Sequence, residues 1–469
     1  MGQFGPNGPG CFGQAQIGGT TTEVDNVKPG SRLASTTAAF ALLLAVGCGG
    51  GTTNATVNGG SGKGTIVVWA DQSQSGQDKA TQAEVAAFNA SQTDVKAVLK
   101  FIPDADLDKT TQATSPKELG DVVEVDGPYM QAWIREGKLG PINGLVSAQT
   151  IQNQIPSVIA QDTVNGKLYM VAQIDSGLGI YGNKALLGAA GITYPTGLDN
   201  VWTADQFTAD LAKLAAKNPS GKALDLKLNY QGEWPTYGFL PIVYSAGSTV
   251  MTGGKAAGHL DSTQVVAAAK TFASWKPYVD ANTDDSAFVK GRVAMSWVGH
   301  WVYPAYSKAL GSNLVVMPLP DFGNGTKTGQ GSIAWGINTS RGNGKAAAKL
   351  LDFFANDANV TDYTSGAVDG DGAVPATKTA LAESTLYAPS GPLYLFAQQL
   401  NKTCGSGPAT KDCVAVPRPQ TPGYPVISSD FSAAWFNIFN GADPQAELTK
   451  AAQLIDTDFQ DNGGYQLSG

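Results

Sequence analysis

Two short apolar runs rich in β-branched residues, TIVVWA at 65–70 and DVVEV at 121–125, constrain the fold of this chain more than any other feature. A strand that is apolar on both sides has no solvent face, so it belongs in a sheet covered above and below, as parallel sheets in α/β proteins are. The residues between the two runs fit. Polar residues 71–77 make a loop, a helix follows with Val85 and Phe88 on one face, and a further strand is expected at 95–102. The alternation continues downstream. Thr203 and Gln206 form a capping box that starts a helix with Phe207, Leu211 and Leu214 on its core face. Residues 313–322 and 331–338 read as strands and 345–356 as a helix. Asp443-Pro444 gives a cap and a first-turn proline to a terminal helix bearing Leu448, Ala452, Ile455 and Phe459. This pattern spells an α/β fold, and 469 residues exceed one typical core, so two domains are expected.

Residues 288–306, FVKGRVAMSWVGHWVYPAY, are where chemistry is expected. Residues 292–297 read as a buried strand, Gly299 frees the backbone for an unusual φ/ψ, and Trp301 and Tyr303 follow where a helix begins. A flat ring such as Trp301 suits stacking on a sugar, the alternative being an ordinary core residue, while Trp297 reads as core. Residues 232–248, GEWPTYGFLPIVYSAGS, again combine aromatics with Pro and Gly. Asp126 stands at the carboxyl end of the 121–125 strand, the edge where open α/β sheets bind ligands; the alternative is a plain helix cap. Asn165-Gly166 marks a hairpin turn.

The N-terminal part reads as an address. Lys28 and Arg32 precede LASTTAAFALLLAVG at 33–47, the length of an export-signal core and too short to span a bilayer comfortably. Ala45-Val46-Gly47-Cys48 resembles a bacterial lipobox, with Cys48 as the lipidated residue and Ala45 where Leu is commonest; the alternative is a Cys in an ordinary cleaved signal. The Gly/Thr/Asn-rich residues 49–64 read as a flexible tether. Residues 1–26 fit no export signal, so translation is expected to start near Val27. Cys404 and Cys413, separated by GSGPATKD in an exported chain, are expected to form a disulfide.

Composition excludes several classes. A charged fraction of 15% and a net charge of -8, with no basic run, argue against nucleic acid. The two histidines, His259 and His300, stand far apart with no thiol or carboxylate at ligand spacing, so no metal site is expected. No cofactor signature and no Ser/His/Asp or Cys/His arrangement is present, so the chain is not read as an enzyme.

Taken in order, the stretches GTIVVWA, GDVVEVD, EGKLGPI, NGKLYMVAQIDSGLGIYGNKALL, WTADQFTADLAKLA, FVKGRVAMSWVGHW, GQGSIAWGIN, GAVPATK and FNGADPQAELTKAA resemble the extracellular solute-binding proteins of carbohydrate ABC importers, the maltose-binding-protein-like group. Two positions depart from that pattern: Ala172 stands where a proline is common, and Gly182 where a second aromatic often precedes Asn183-Lys184.

The resemblance implies a two-lobed periplasmic-binding-protein-like fold, each lobe a central sheet flanked by helices, joined by a hinge. Lobe one would take 65–173 and 323–374, and lobe two 174–322 and 375–469, after a leader at 1–48. It implies a sugar, mono- or oligosaccharide, held in the interlobe cleft and delivered to the permease subunits of an importer. The protein would be a monomer on the outer face of the cell membrane, or periplasmic. By position, Trp301 and Trp335 would stack on sugar and Asp126 and Asp175 accept hydroxyls. Trp69, Asp71, Trp234, Tyr237, Asp371 and Arg418 would face the cleft from neighbouring loops. Two rivals stay open: an exported glycan hydrolase working through paired carboxylates, and a receptor of the same fold for a polyamine or phosphorylated glycerol.

Overall fold

The computed structural model describes residues 55–72, 77–365, 372–405 and 407–465. The leader, Cys48 and Asp371 lie outside the described residues.

Two sheets organise the chain. The first has five strands in the order Val95–Pro103, Gly64–Gln72, Val122–Asp126, Ile333–Ile337, Met170–Ala172. Its first three strands are parallel, as the doubly apolar runs require, and the last two join antiparallel. Ile66, Val68 and Ala70 meet Val85 and Phe88 of the helix Gln77–Ser91 and Leu350, Leu351 and Phe354 of the helix Gly344–Phe354. The opposite face, with Val123 and Val125, packs into the larger core.

The second sheet has four strands in the order Leu314–Met317, Leu178–Asn183, Met295–Gly299, Leu224–Asp225. Its core is aromatic: Phe272, Trp275 and Trp297 pack with Trp435 from the helix Tyr424–Phe439. Between the sheets run two short antiparallel strands, Ile174–Asp175 and Val374–Pro375, and a parallel pair, Thr328–Gln330 with Ala415–Pro417.

Local signals act as their chemistry dictates. Thr203 and Gln206 form the reciprocal capping box, and the Asp443 side chain accepts from the Ala446 N–H. Asn165 and Gly166 have φ of 50° and 73°, the two positive values of a type I′ hairpin turn joining Thr163–Val164 to Lys167–Leu168. Gly182 is closely covered: a Cβ would lie 2.7 Å from Met317 Cε and 2.9 Å from Leu187 Cδ1, so a side chain there would have to push both aside.

Several expectations need correction. Residues 313–322 shorten to the strand Leu314–Met317, because Pro318 follows and cannot donate to a ladder. The buried strand of the 288–306 stretch lies at Met295–Gly299, three residues later than read. Residues 232–248, to which sequence reasoning assigns no element, form the helix Trp234–Ser245, with Pro235 in its first turn and Pro241 in its interior. The end of the expected tether is docked. Asn58 and Gly59 carbonyls accept from the Gly344 and Lys345 N–H groups, satisfying donors that a helix N-terminus leaves open, and Val57 packs on the first sheet's core. Cys404 and Cys413 form a disulfide with Cα atoms 5.0 Å apart.

Candidate binding cleft

Strand ends and loops from both sheets line a cavity of about 320 Å³. Asp71 and Asp126 enter from the first sheet, at the carboxyl ends of Gly64–Gln72 and Val122–Asp126. That edge is where a parallel sheet leaves space outside its strands. The second sheet contributes His300 and Trp301, immediately after Met295–Gly299, and the helix Trp234–Ser245 brings Trp234 and Tyr237.

Charge is concentrated and matched within this wall. Arg418, one residue beyond the strand Ala415–Pro417, is 5% exposed. Its Nη1 and Nη2 donate to the two Asp126 carboxylate oxygens at 2.6 and 2.5 Å, and Nη1 also donates to Glu233 Oε1 at 2.9 Å. Such forked, charge-assisted bonds fix orientation as well as charge. The guanidinium lies 4.7 Å from the Tyr237 ring centre, a cation–π contact. Glu233 collects three further donors: the hydroxyls of Tyr129 at 3.0 Å, Ser428 at 2.5 Å, and Tyr424. Burial raises the Glu233 carboxyl above its ordinary range and Arg418 opposes that rise. The cluster is therefore tied together from both sheets: Asp126 and Tyr129 follow the first, while Glu233, Arg418 and Tyr424 belong to segments around the second.

The aromatic wall is built with equal economy of space. Trp301 lies edge to face with Trp234, centroids 6.1 Å apart at 88°, and is tilted by 37° to Tyr237 at 6.2 Å. Trp234 Nε1 donates to the Leu226 carbonyl at 3.1 Å, which fixes its ring. Ser176 Oγ donates to the Gly331 carbonyl at 2.8 Å, so the 2.6 Å bond between Ser176 and Tyr237 carries the tyrosine proton. Gly299 is needed for a different reason than its expected unusual dihedrals. Its φ of −93° and ψ of −169° are open to any residue. A Cβ there would sit 2.0 Å from Trp301 Cζ3, so the indole occupies the space that any other residue would fill.

The structure thus brings six of the expected residues to one cavity: Asp71, Asp126, Trp234, Tyr237, Trp301 and Arg418. Three others lie elsewhere. Trp335 is 2% exposed in the interior of its strand, packed 4.9 Å from Phe354 of the covering helix, with Nε1 donating to Gln173 at 2.7 Å, and it does not line the cavity. Trp69 is buried beside Gly120 and lies under Lys100, whose Nζ is 3.6 Å from the ring centre. Asp175 is fully buried behind the wall, accepting from Ser157 Oγ at 2.7 Å and the Ser176 N–H at 2.8 Å; burial pushes its carboxyl up to about 6. Sequence reasoning missed Glu233 and His300. A glutamate directly before a helix with a first-turn proline was the available signal for Glu233; His300 had none beyond its place beside Trp301.

Among the described residues no group of three or more His, Cys, Asp or Glu is placed to hold a metal ion, and no helix is long and apolar enough to cross a membrane. The family model for bacterial extracellular solute-binding proteins matches residues 71–361. Solved structures share the fold at low identity. The GacH receptor of Streptomyces glaucescens GLA.O, determined unliganded and with acarbose, is 18% identical, with a TM-score of 0.68 over 85% of this chain and 98% of that one. An ABC transporter solute-binding protein from Thermotoga lettingae TMO bound with α-D-tagatose is 20% identical, with a TM-score of 0.70 over 84% and 99%. The maltose/maltodextrin-binding domain from Bdellovibrio bacteriovorus bound to maltotriose is 16% identical, with a TM-score of 0.68 over 85% and 100%. No curated protein sequence matches.

Proposed function

Because the chain belongs to the bacterial extracellular solute-binding proteins, we propose that it captures a sugar, mono- or oligosaccharide, in the cavity between its two sheets and hands it to the membrane permease of an ABC importer. The observation that carries this reading is the pairing, in one cavity, of the Trp234, Tyr237 and Trp301 faces with the Asp126–Arg418–Glu233 cluster. A sugar offers both partners: an apolar ring face for aromatics and hydroxyls for charged acceptors and donors. A volume of about 320 Å³ lies at the small end of ligand pockets, which suits one or two sugar rings better than a long chain. The relatives crystallised with acarbose, tagatose and maltotriose support a sugar over other solutes.

The same geometry weighs against phosphorylated glycerol. Arg418, the guanidinium in the wall, is engaged by two carboxylates, and Asp71 and Asp285 add negative charge. The strands of the two sheets, drawn from 64–172 with 333–337 and from 178–317, support the partition into two lobes closing on the ligand. Cys48 would hold the protein by a lipid at the outer face of the membrane, as a monomer.

A thermal-shift screen of mono- and disaccharides, with maltotriose and acarbose included, tests the reading. One of them at a hundred times its Kd should stabilise the fold by about 2.7 kcal/mol. Stabilisation by none, or turnover of labelled oligosaccharides in place of stoichiometric binding, would overturn it.

A further inference from the structure

His300 stands between the strand Met295–Gly299 and Trp301, 1% exposed, in the wall of the cavity. Both of its ring nitrogens are buried, and among the described residues neither has a hydrogen-bond partner. Buried polar side-chain atoms are nearly always paired, so an imidazole with two stranded nitrogens at a binding cavity calls for a reason. Its neighbours provide no partner. Trp301 meets it edge to face at 5.4 Å and 90°, and Phe396 at 6.4 Å and 88°. Burial drives its pKa down to about 3, so the ring is neutral and offers one N–H donor and one bare acceptor. Arg418 Nε, in the same wall, is likewise buried without a partner among the described residues.

We propose that His300 is a specificity-determining residue of the cleft, hydrogen-bonding a hydroxyl of an uncharged sugar whose ring lies against Trp301. The inference rests on the sugar-binding reading above and deepens it. A hydroxyl is the group that fits, because it both donates and accepts and so pairs with whichever nitrogen faces it. A phosphate or carboxylate is met only by the N–H and an ammonium only by the bare nitrogen, whereas a hydroxyl is met by either. Trp301 and His300 are adjacent in the chain and perpendicular in the wall, so one sugar can meet an aromatic face and an imidazole together. Gly299 lets the indole sit in this corner by lacking a side chain.

The chain has two histidines, which makes the test clean. With 15N-histidine-labelled protein, maltose, maltotriose and tagatose are titrated by calorimetry and by imidazole NMR. A sugar that binds should shift the His300 ring nitrogens and leave those of His259 in place. His300→Phe, which keeps an aromatic ring between Trp301 and Phe396, should weaken that sugar ten- to a hundredfold without lowering the melting temperature of the free protein. His300→Gln, which restores a donor and an acceptor, should recover part of the affinity. Wild-type affinity in His300→Phe would overturn the assignment, as would unmoved His300 signals at saturation if that variant fails to fold. A wild-type protein that gives no calorimetric signal with any of the three sinks the sugar reading itself, and the role of His300 with it.

Discussion

Arg418 and Asp126 meet as a two-pronged ion pair, both amino groups of the guanidinium on both oxygens of the carboxylate, although 292 positions separate them in the chain. Glu233 shares the same guanidinium. Buried ion pairs contribute little when intact, but breaking one strands a charge and costs about 3–5 kcal/mol. Asp126→Asn and Arg418→Met should therefore each destabilise the protein by about that much in urea denaturation. The double variant should lose clearly less than the sum. Additive losses would mean that the two side chains are not coupled.

Trp301 and Trp297 should separate binding from folding. Trp301→Ala should weaken sugar binding by about 1–3 kcal/mol with a modest loss of stability, as expected of an aromatic anchor. Trp297, 1% exposed with its Nε1 on the Gly238 carbonyl, should cost about 3–5 kcal/mol of folding free energy when cut to Ala. Calorimetry and denaturation on each variant give both quantities.

Gly299→Ala should behave as a binding mutation. The added methyl must displace the Trp301 indole, so affinity should fall, and combining it with Trp301→Ala should add little further loss. Full affinity in Gly299→Ala would show that the indole position is immaterial.

Two buried carboxyls predict a stability that falls as pH rises from about 4 to 8. Burial raises Glu84 and Asp162 each to about 8, with hydrogen bonds from Gln173 and Gln161 opposing the rise. The folded protein therefore holds protons that the unfolded chain releases near pH 4, and stability declines between about pH 4 and 8, by at most about 1.4 kcal/mol per pH unit for each group. Glu84→Gln should flatten part of that slope and raise stability at pH 8, measured by denaturation across pH.

The disulfide closes the loop that leads into Ala415–Pro417 and so into Arg418. Cys404→Ser with Cys413→Ser should cost about 2–3 kcal/mol of stability. Ligand affinity should fall as well if the loop positions the guanidinium, and unchanged affinity would confine the bond to a stabilising role.

Much of this was legible in the sequence where one residue type answers one local demand. The apolar runs dictated a covered parallel sheet, Thr203 and Gln206 a helix start, and Asn165-Gly166 a hairpin. The cleft was legible through Trp301, Trp234 and Asp126, each beside a strand end or a turn. What escaped depends on distant partners. Trp335 looks the same in sequence as Trp301, and only the helix lying over it makes it core. Glu233 and Arg418 acquire their roles from each other and from Asp126, a relation no local pattern records. The glycine at 299 was noticed for its dihedral freedom, while its actual service is to make room for a ring two residues away.

The antiparallel strand Ile333–Ile337 sits in the interior of the first sheet, between Val122–Asp126 and Met170–Ala172. It is made more than two hundred residues after its first neighbour. Until it arrives, Val122–Asp126 keeps an unpaired edge, and closing so long a loop is slow. A chain emerging from the ribosome thus cannot lock its first sheet, or assemble the cleft that depends on it, before most of its length exists.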